Sequence, residues 1–104
     1  MAAAEQDCFS LAADRDGTTL RLRLTGEFDR GAIGAVEDAL EVEPPVDHVI
    51  FDLSALTFLD LAGLKTIMRV HSRAQAEDFG FTVVRPRGLA NRIFTLTRAG
   101  ETLC

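Results

Sequence analysis

The chain reads DLSALTFLDLAGL from Asp52 to Leu64, and this stretch decides the fold that we expect. An apolar strand ends near Leu53, a tight loop follows, and Asp60 caps the start of a helix. A helix start presents unpaired backbone N–H groups and the positive end of its dipole to whatever lies in front of it. The junction therefore predicts either an anion site or a docking surface.

Short strands and amphipathic helices continue on the C-terminal side of this junction. Residues 48–53 are nearly continuously apolar, which predicts a strand at the centre of a sheet. Helical spacing predicts helices over residues 60–77 and about 87–97, with a strand over residues 80–84 between them. The residues predicted to face the core are Leu64, Ile67, Met68, His71 and Ala74 on the first of these helices, and the apolar residues of the second are Leu89, Ile93, Phe94 and Leu96.

The N-terminal part predicts a hairpin followed by a helix. Residues 19–25 alternate strictly, with leucines on one face and arginines on the other, and residues 9–13 form a weaker strand before an Asp-Gly turn. Asp29 caps a helix that runs to about Glu41, and Pro44-Pro45 ends it. This order of elements implies an α/β fold with a partly parallel sheet and right-handed crossovers.

Composition limits the classes of function. A chain of 104 residues with a net charge of −5 is expected to be one domain, residues 1–104 with a core over about 8–98, and to have no general affinity for nucleic acid. The sequence contains no apolar run of about 20 residues and no signal peptide pattern, so we expect no membrane insertion and a cytoplasmic location.

The residues that carry catalysis and metal binding are sparse. The chain has two histidines, no Tyr and no Trp, and Cys8 and Cys104 lie near opposite ends without a metal-ligand spacing. We therefore expect no enzyme activity, catalytic residue, cofactor or metal. His71 is expected at the edge of the core, and His48 has no obvious partner.

The sequence resembles the STAS domain family, which sulfate transporters and bacterial anti-sigma factor antagonists share. The resemblance is carried by a strand end at residues 52–54, a loop at 57–60 and a helix start at 62–64. Residues 26–29, 83–84 and 94–97 agree with it. The resemblance implies the STAS fold, a single mixed sheet of four to five strands with three to four packed helices.

The resemblance also implies a function and a switch. Such antagonists bind a kinase-like anti-sigma factor and are switched off when it phosphorylates the serine after the aspartate at the helix start. Here that position is Leu61, followed by Ala62, and neither side chain has a hydroxyl group. The protein is then either a constitutive binder or is controlled through Ser54, Thr57 or Thr66. The residues predicted to form the partner surface are Asp29, Ser54, Thr57, Asp60, Leu61, Ala62 and Gly63.

Several of these residues also have simple structural roles. Asp60 and Asp29 are expected to cap helices, and Gly63 to permit close packing at a helix start. Ser54 and Thr57 are interpreted as loop residues that form hydrogen bonds, and Thr66 as a residue on the helix surface.

Three functions remain after these considerations. The preferred one is an anti-sigma factor antagonist that is not controlled at the usual serine position. The alternative is a cytoplasmic STAS accessory subunit of a lipid ABC transporter, where an Asp-x-Ala-Gly-Leu helix start also occurs. A nucleotide-binding domain ranks last, because the sequence has no P-loop and no evident magnesium ligands.

Overall fold

The computed structural model describes residues 8–41 and 46–97. Four strands form one sheet in the order β1-β2-β3-β4. The β1–β2 pair is antiparallel, and the other two pairs are parallel. The elements are β1 (Ser10–Asp16), β2 (Thr19–Phe28), a 3₁₀ turn (Arg30–Ala32), α1 (Ile33–Ala39), β3 (His48–Leu59), α2 (Leu61–Glu77), β4 (Gly80–Val84) and α3 (Gly88–Thr97). This mixed sheet with packed helices confirms the predicted fold class.

The N-terminal hairpin is confirmed, with longer strands than predicted. β1 continues through Asp16, and only Gly17 and Thr18 form the turn, where Gly17 has a φ of 62°. That left-handed backbone is accessible to glycine without a steric penalty. The leucines of β2 are buried in the core and the intervening arginines are exposed, as the alternation predicted.

β3 differs most from the prediction. The segment predicted as a tight loop, residues 54–59, continues the strand and pairs with β2 as far as Phe28 opposite Leu59. The register shifts twice, and each shift takes up one additional residue of β3. As a result the buried leucines of this segment, Leu53, Leu56 and Leu59, lie three residues apart instead of two. The loop prediction was wrong because bulged strands lose the period-2 pattern.

The helices follow the predicted order. α1 ends at Ala39, slightly earlier than predicted, and the Pro44-Pro45 stop lies outside the described residues. α2 and its Asp60 cap are confirmed. On α3, Ala90 and Phe94 are buried in the core, whereas Leu89 is 66% and Leu96 78% exposed. These two apolar residues of the predicted helix therefore face solvent.

Two polar residues also differ from their predicted environments. Thr66 is 2% exposed and therefore does not lie on the helix surface. Its hydroxyl donates to the Ala62 carbonyl over 3.0 Å and accepts from Arg69 over 3.2 Å. His48 does have a partner, since its Nε2 lies 2.8 Å from the hydroxyl oxygen of Thr82 on β4. His71 is half-buried beside the Phe81 ring, as expected at the core edge.

None of the helices within residues 8–41 and 46–97 combines the length and the hydrophobicity that crossing a bilayer would require.

Candidate functional site

The start of α2 is capped by its own sequence. The Asp60 carboxylate accepts a hydrogen bond from the Gly63 N–H over 2.8 Å, and the Asp60 carbonyl accepts one from Leu64 over 2.9 Å. The carboxylate therefore occupies the position in which an external anion would meet the helix N–H groups, and its charge would repel such an anion. The geometry favours a docking surface over an anion site.

Close packing fixes the helix start against the end of β2. A Cβ atom at Gly63 would lie 2.6 Å from the Phe28 carbonyl oxygen and 2.8 Å from Leu59 Cδ1, so only glycine fits without a shift. The Asp60 N–H also donates to the Phe28 carbonyl over 3.3 Å. Gly63 is buried and therefore positions the surface without contributing contact area to it.

Asp29 is brought to the same end of the sheet because it directly follows Phe28. Its Oδ1 accepts from the Gly31 N–H over 2.9 Å, which caps the 3₁₀ turn before α1. The predicted capping role is therefore confirmed. Asp29 lines an open depression of about 570 Å³ together with Glu27 and Gly31. This depression adds the acidic side chains of Asp29 and Glu27 to the surface beside the start of α2.

Apolar side chains project from the helix start into solvent. Leu61 is 54% and Phe58 43% exposed. They form one side of a groove of about 460 Å³, whose other lining residues are Leu89, Arg92, Ile93, Leu96 and Thr97 of α3. Large exposed apolar patches mark interaction sites in soluble proteins. We call these seven lining residues the apolar groove.

Sequence reasoning placed only Leu61 of this groove in the site. Phe58 was assigned to a loop, and Leu89 and Leu96 were predicted as apolar residues of a helix, without a role in the site. The available signal was the width of the apolar arc on α3, where Leu89, Ile93 and Leu96 add a second stripe beside Ala90 and Phe94. One 10-residue helix packed on one side cannot bury an arc of that width.

The predicted surface residues do not all come together. Asp29, Asp60, Leu61, Ala62 and Gly63 gather where β2 and β3 end, and Thr57 is exposed two residues before Leu59. Ser54 lies further back on the sheet. About four residues of β2 separate the positions opposite Ser54 and Leu59, roughly 13 Å at 3.3 Å per residue.

Ser54 belongs instead to a cluster around Asp52 that sequence reasoning did not identify. Asp52 is 3% exposed, and its carboxylate accepts from the Ser54 hydroxyl over 2.6 Å, the Ser54 N–H over 3.1 Å and Arg21 over 3.1 Å. Arg23 lies 3.6 Å from the same carboxylate. No side-chain polar atom that is buried within the described residues lacks a hydrogen-bond partner. The cluster is saturated by its own bonds, which is typical of a structural role.

The ionisation of Asp52 reflects these bonds. Burial by itself raises the pKa of a carboxyl group, but the hydrogen bonds from Ser54 and Arg21 and the charge of Arg21 outweigh it. They lower the pKa of Asp52 to about 2 from an ordinary value of 3.8. Asp52 is therefore a carboxylate at neutral pH and not a poised proton donor.

The three hydroxyl groups considered as regulatory phosphorylation sites differ in how accessible they are to a kinase. The Ser54 hydroxyl is bonded to Asp52, and the Thr66 hydroxyl is buried in α2. Thr57 is exposed. Among residues 8–41 and 46–97, no group of three or more His, Cys, Asp or Glu side chains is arranged to hold a metal ion.

Comparisons with known proteins identify a family and a shared fold. The family model described as "Mlab, STAS domain" matches residues 11–103. An anti-sigma factor antagonist from Mycobacterium paratuberculosis is 27% identical with a TM-score of 0.78, and the match covers 93% of this chain and 84% of that protein. A search of curated protein sequences gives no significant match.

Two further solved structures share the fold. The unphosphorylated anti-sigma factor antagonist SpoIIAA is 20% identical with a TM-score of 0.70, over 90% of this chain and 84% of that one. The phosphorylated form of the Bacillus SpoIIAA is 21% identical with a TM-score of 0.66, over 90% of this chain and 86% of that one.

Proposed function

The chain belongs to the STAS domain family, and from this membership we propose that it is an anti-sigma factor antagonist acting by protein binding in the cytoplasm. Its partner is a kinase-like anti-sigma factor. The likeness to the Mycobacterium paratuberculosis antagonist over 93% of the chain supports this choice within the family. Asp29, Thr57, Asp60, Leu61 and Ala62 form the contact surface.

One observation carries the proposal. Leu61 projects from the first position of a rigidly capped helix and is more than half exposed, directly after Asp60. Burying the exposed half of a leucine side chain contributes about 1 kcal/mol to binding. An exposed leucine at a fixed position is a typical anchor for a partner surface, because little conformational entropy is lost there on binding.

The same residue sets the mode of control. SpoIIAA exists in phosphorylated and unphosphorylated forms, whereas Leu61 and Ala62 offer no hydroxyl group at this helix start. A phosphate would add about −1.5 to −2 charges beside the partner. Without that switch, binding follows the abundance of the two proteins. Thr57 is the exposed hydroxyl through which control is still feasible.

An affinity pull-down from the native cell, followed by mass spectrometry, tests the proposal. The full chain should recover a kinase-like anti-sigma factor. Leu61→Glu should reduce recovery more than tenfold, because it places a carboxylate in the interface without a partner charge. Gln75→Glu is the matched control, since Gln75 is exposed near the far end of the same helix. Recovery of transporter subunits alone, or equal recovery by Leu61→Glu, would contradict the proposal.

A second variant tests whether a serine at position 61 can be phosphorylated by the partner. Leu61→Ser restores a hydroxyl group after Asp60, and incubation with ATP and the recovered partner should then yield phosphoserine, detected by mass spectrometry. The native chain should remain unmodified at residues 60–64 under the same conditions. Absence of phosphoserine in the variant would show that the partner lacks kinase activity toward this helix start.

The transporter accessory subunit remains the second candidate because of the apolar groove. Permanent interfaces are more apolar than transient ones, and the groove extends the exposed apolar surface well beyond Leu61. A constitutive subunit also has no need of a phosphorylation switch. The pull-down separates this candidate from the first one directly.

A further inference from the structure

The C-terminal half of β3 is paired along one edge. β4 pairs with β3 from His48 to Asp52, where Val84 is its last residue, whereas β3 continues to Leu59 along β2 alone. The edge of β3 that faces away from β2 therefore meets no strand of the described chain beyond Asp52. Over residues 53–59 the sheet ends at β3.

Backbone groups along this edge have no hydrogen-bond partner. A strand directs the N–H and C=O groups of alternate residues to opposite edges, so about half of those between Ala55 and Leu59 point away from β2. Outside the β2 ladder, no backbone hydrogen bond within residues 8–41 and 46–97 involves residues 55–59. The preceding N–H, that of Ser54, donates to the Asp52 carboxylate. We call residues 55–59 the open edge.

The apolar groove lies beside the open edge. Phe58 belongs to both, α3 forms the opposite wall of the groove, and no residue of β2 lines it. Glu27, the β2 residue opposite Phe58, lines the acidic depression instead. The groove is therefore on the side of β3 that carries the unpaired backbone groups.

The unpaired groups make an extended segment the occupant that fits this place. A strand added beside β3 supplies N–H and C=O groups at the spacing of the open edge, so both chains gain partners. A helix has already paired its own backbone groups and would leave those of the open edge unpaired. At about 3.3 Å per residue, an added strand of about five residues matches residues 55–59 in length.

Charge on the groove wall adds a preference for an acidic segment. Arg92 lines the groove, is exposed, and forms no ion pair with the residues that the structure describes. Residues 79–97 contain three arginines and no Asp or Glu, in a chain whose net charge is −5. This part of the chain is therefore locally basic, and a partner carboxylate opposite Arg92 would meet a complementary charge.

We propose that the open edge of β3 binds an extended segment of a protein partner by strand addition. The segment has apolar residues at alternate positions facing the groove and one acidic residue facing Arg92. The inference deepens the proposed function and rests on it, because Leu61 lies in both the groove and the proposed contact surface. Its separate claim is that backbone hydrogen bonds to β3 hold the partner.

A displayed library of linear peptides, selected against the immobilised full chain, supplies the probe. Peptides of about 10 residues have the upper length of ordinary strands. The enriched sequences should alternate apolar with polar residues and carry one Asp or Glu. Synthetic copies should bind the full chain in a fluorescence anisotropy titration, and the affinity should fall as the salt concentration rises, because a charge pair contributes to it.

N-methylation of the bound peptide tests the hydrogen bonds directly. Each methyl group on a backbone nitrogen removes one donor. The donors of an added strand that face β3 belong to every second residue, so binding should weaken roughly tenfold at alternate positions and little at those between. Amide hydrogen exchange within residues 55–59, measured by NMR, should slow when the unmethylated peptide binds.

Variants of α3 locate the bound peptide. Leu96→Asp should weaken peptide binding more than tenfold without changing the circular dichroism spectrum, because the side chain is exposed. Thr95→Asp is the matched control, since it adds the same charge to the same helix on a face away from the groove. Arg92→Glu should also weaken binding, and a peptide with its acidic position changed to lysine should restore it. Arg73→Glu on α2, away from the groove, is the control for that charge reversal.

Other results would overturn the inference. These are N-methylation that weakens binding equally at every position or at none, and peptide binding that Arg92→Glu and Leu96→Asp leave intact. A selection that enriches no peptide over a chain carrying both substitutions would overturn it as well. Sedimentation of the native chain as a dimer that Leu96→Asp dissociates would assign the groove to a second copy instead.

The two proposals fail in different ways. A pull-down that Leu61→Glu abolishes but Arg92→Glu and Leu96→Asp do not would refute strand addition and leave the proposed function intact. Peptide binding with the alternating N-methylation pattern, together with a pull-down free of anti-sigma factors, would refute the proposed function and retain strand addition at the open edge.

Discussion

The middle of β3 and the junction between β3 and α2 carry two contrasting clusters. At Asp52, a buried carboxylate receives hydrogen bonds from Ser54 and Arg21, and each of its partners comes from this chain. At Phe58 and Leu61, apolar side chains are held in fixed positions and exposed to solvent. The hydrogen bonds of the polar cluster come from within the chain, whereas the apolar side chains are left exposed to solvent.

Functional sites are usually sought among charged residues, but here the exposed apolar side chains are the better candidates. A cluster of charged and hydroxyl groups suggests chemistry, but here its bonds stabilise the pairing of β2 with β3. Leucines and phenylalanine suggest a core, but here Leu61 and Phe58 are exposed, and they belong to the proposed contact surface and the groove beside it. The expectation is that substitutions at Asp52 change stability alone, whereas substitutions at the helix start change binding.

The largest expected effect is on stability at Asp52. Asp52→Ala removes the acceptor of the Ser54 and Arg21 hydrogen bonds in the sheet, and should lower the free energy of unfolding by about 2–3 kcal/mol. Urea denaturation measures this loss. Asp14→Ala is the control, because Asp14 is exposed opposite Arg21 and should change stability by less than about 0.5 kcal/mol. A binding defect in folded Asp52→Ala protein would contradict the contrast.

Gly63→Ala should affect both stability and binding. The added Cβ would lie 2.6 Å from the Phe28 carbonyl, so the helix start must shift at a cost of about 1–3 kcal/mol. Leu61 moves with it, and partner recovery should fall. Gly34→Ala on α1 has no heavy atom within 4 Å of the new Cβ and should be neutral or stabilising. Equal effects of the two substitutions would refute the packing explanation.

Acid should weaken the Asp52 cluster in a defined range. The pKa of Asp52 is about 2 in the folded chain and 3.8 ordinarily, so its stabilisation is complete well above pH 3.8. As the pH falls from about 4 through 2, up to about 2 kcal/mol is lost. Urea denaturation at a series of pH values measures this slope. Asp52→Asn should lack this part of the slope, and identical slopes in the two proteins would exclude Asp52 as its source.

The smallest expected effect is the loss of the helix cap. Asp60→Ala removes the hydrogen bond to the Gly63 N–H and should cost about 1 kcal/mol, whereas Asp60→Ser should retain most of it. Thermal unfolding compares the two. Partner binding should weaken with Ala because the cap fixes the direction of Leu61. If Ser and Ala are equally destabilising, the cap contributes little.

The sequence predicted those parts of the fold that have strong local signals. The hairpin, the strand at residues 80–84 and the capped helix through Glu77 all have turn, cap or periodicity signals within a few residues. Of the site, Asp60, Leu61 and Gly63 were placed correctly at the helix start. The same local reasoning identified Asp60 as the cap of α2.

The remaining features depend on distant residues. Arg21 reaches Asp52 across 31 positions, which no local pattern encodes. The burial of Ala90 and the exposure of Leu89 depend on where α3 packs against β3. The exposure of the outward stripe of α3 was not predicted, because helical spacing shows that a face is apolar and not what covers it.

The bulges of β3 also affect how this chain is compared with its relatives. Regular pairing from Arg23 opposite Asp52 would place residue 57 opposite Phe28, but the two bulges place Leu59 there. In a relative with one or two fewer residues in this stretch, the capping aspartate would still lie at the same position relative to the end of β2. Insertions and deletions should therefore collect between residues 53 and 58, where an alignment gap leaves the proposed contact surface unchanged.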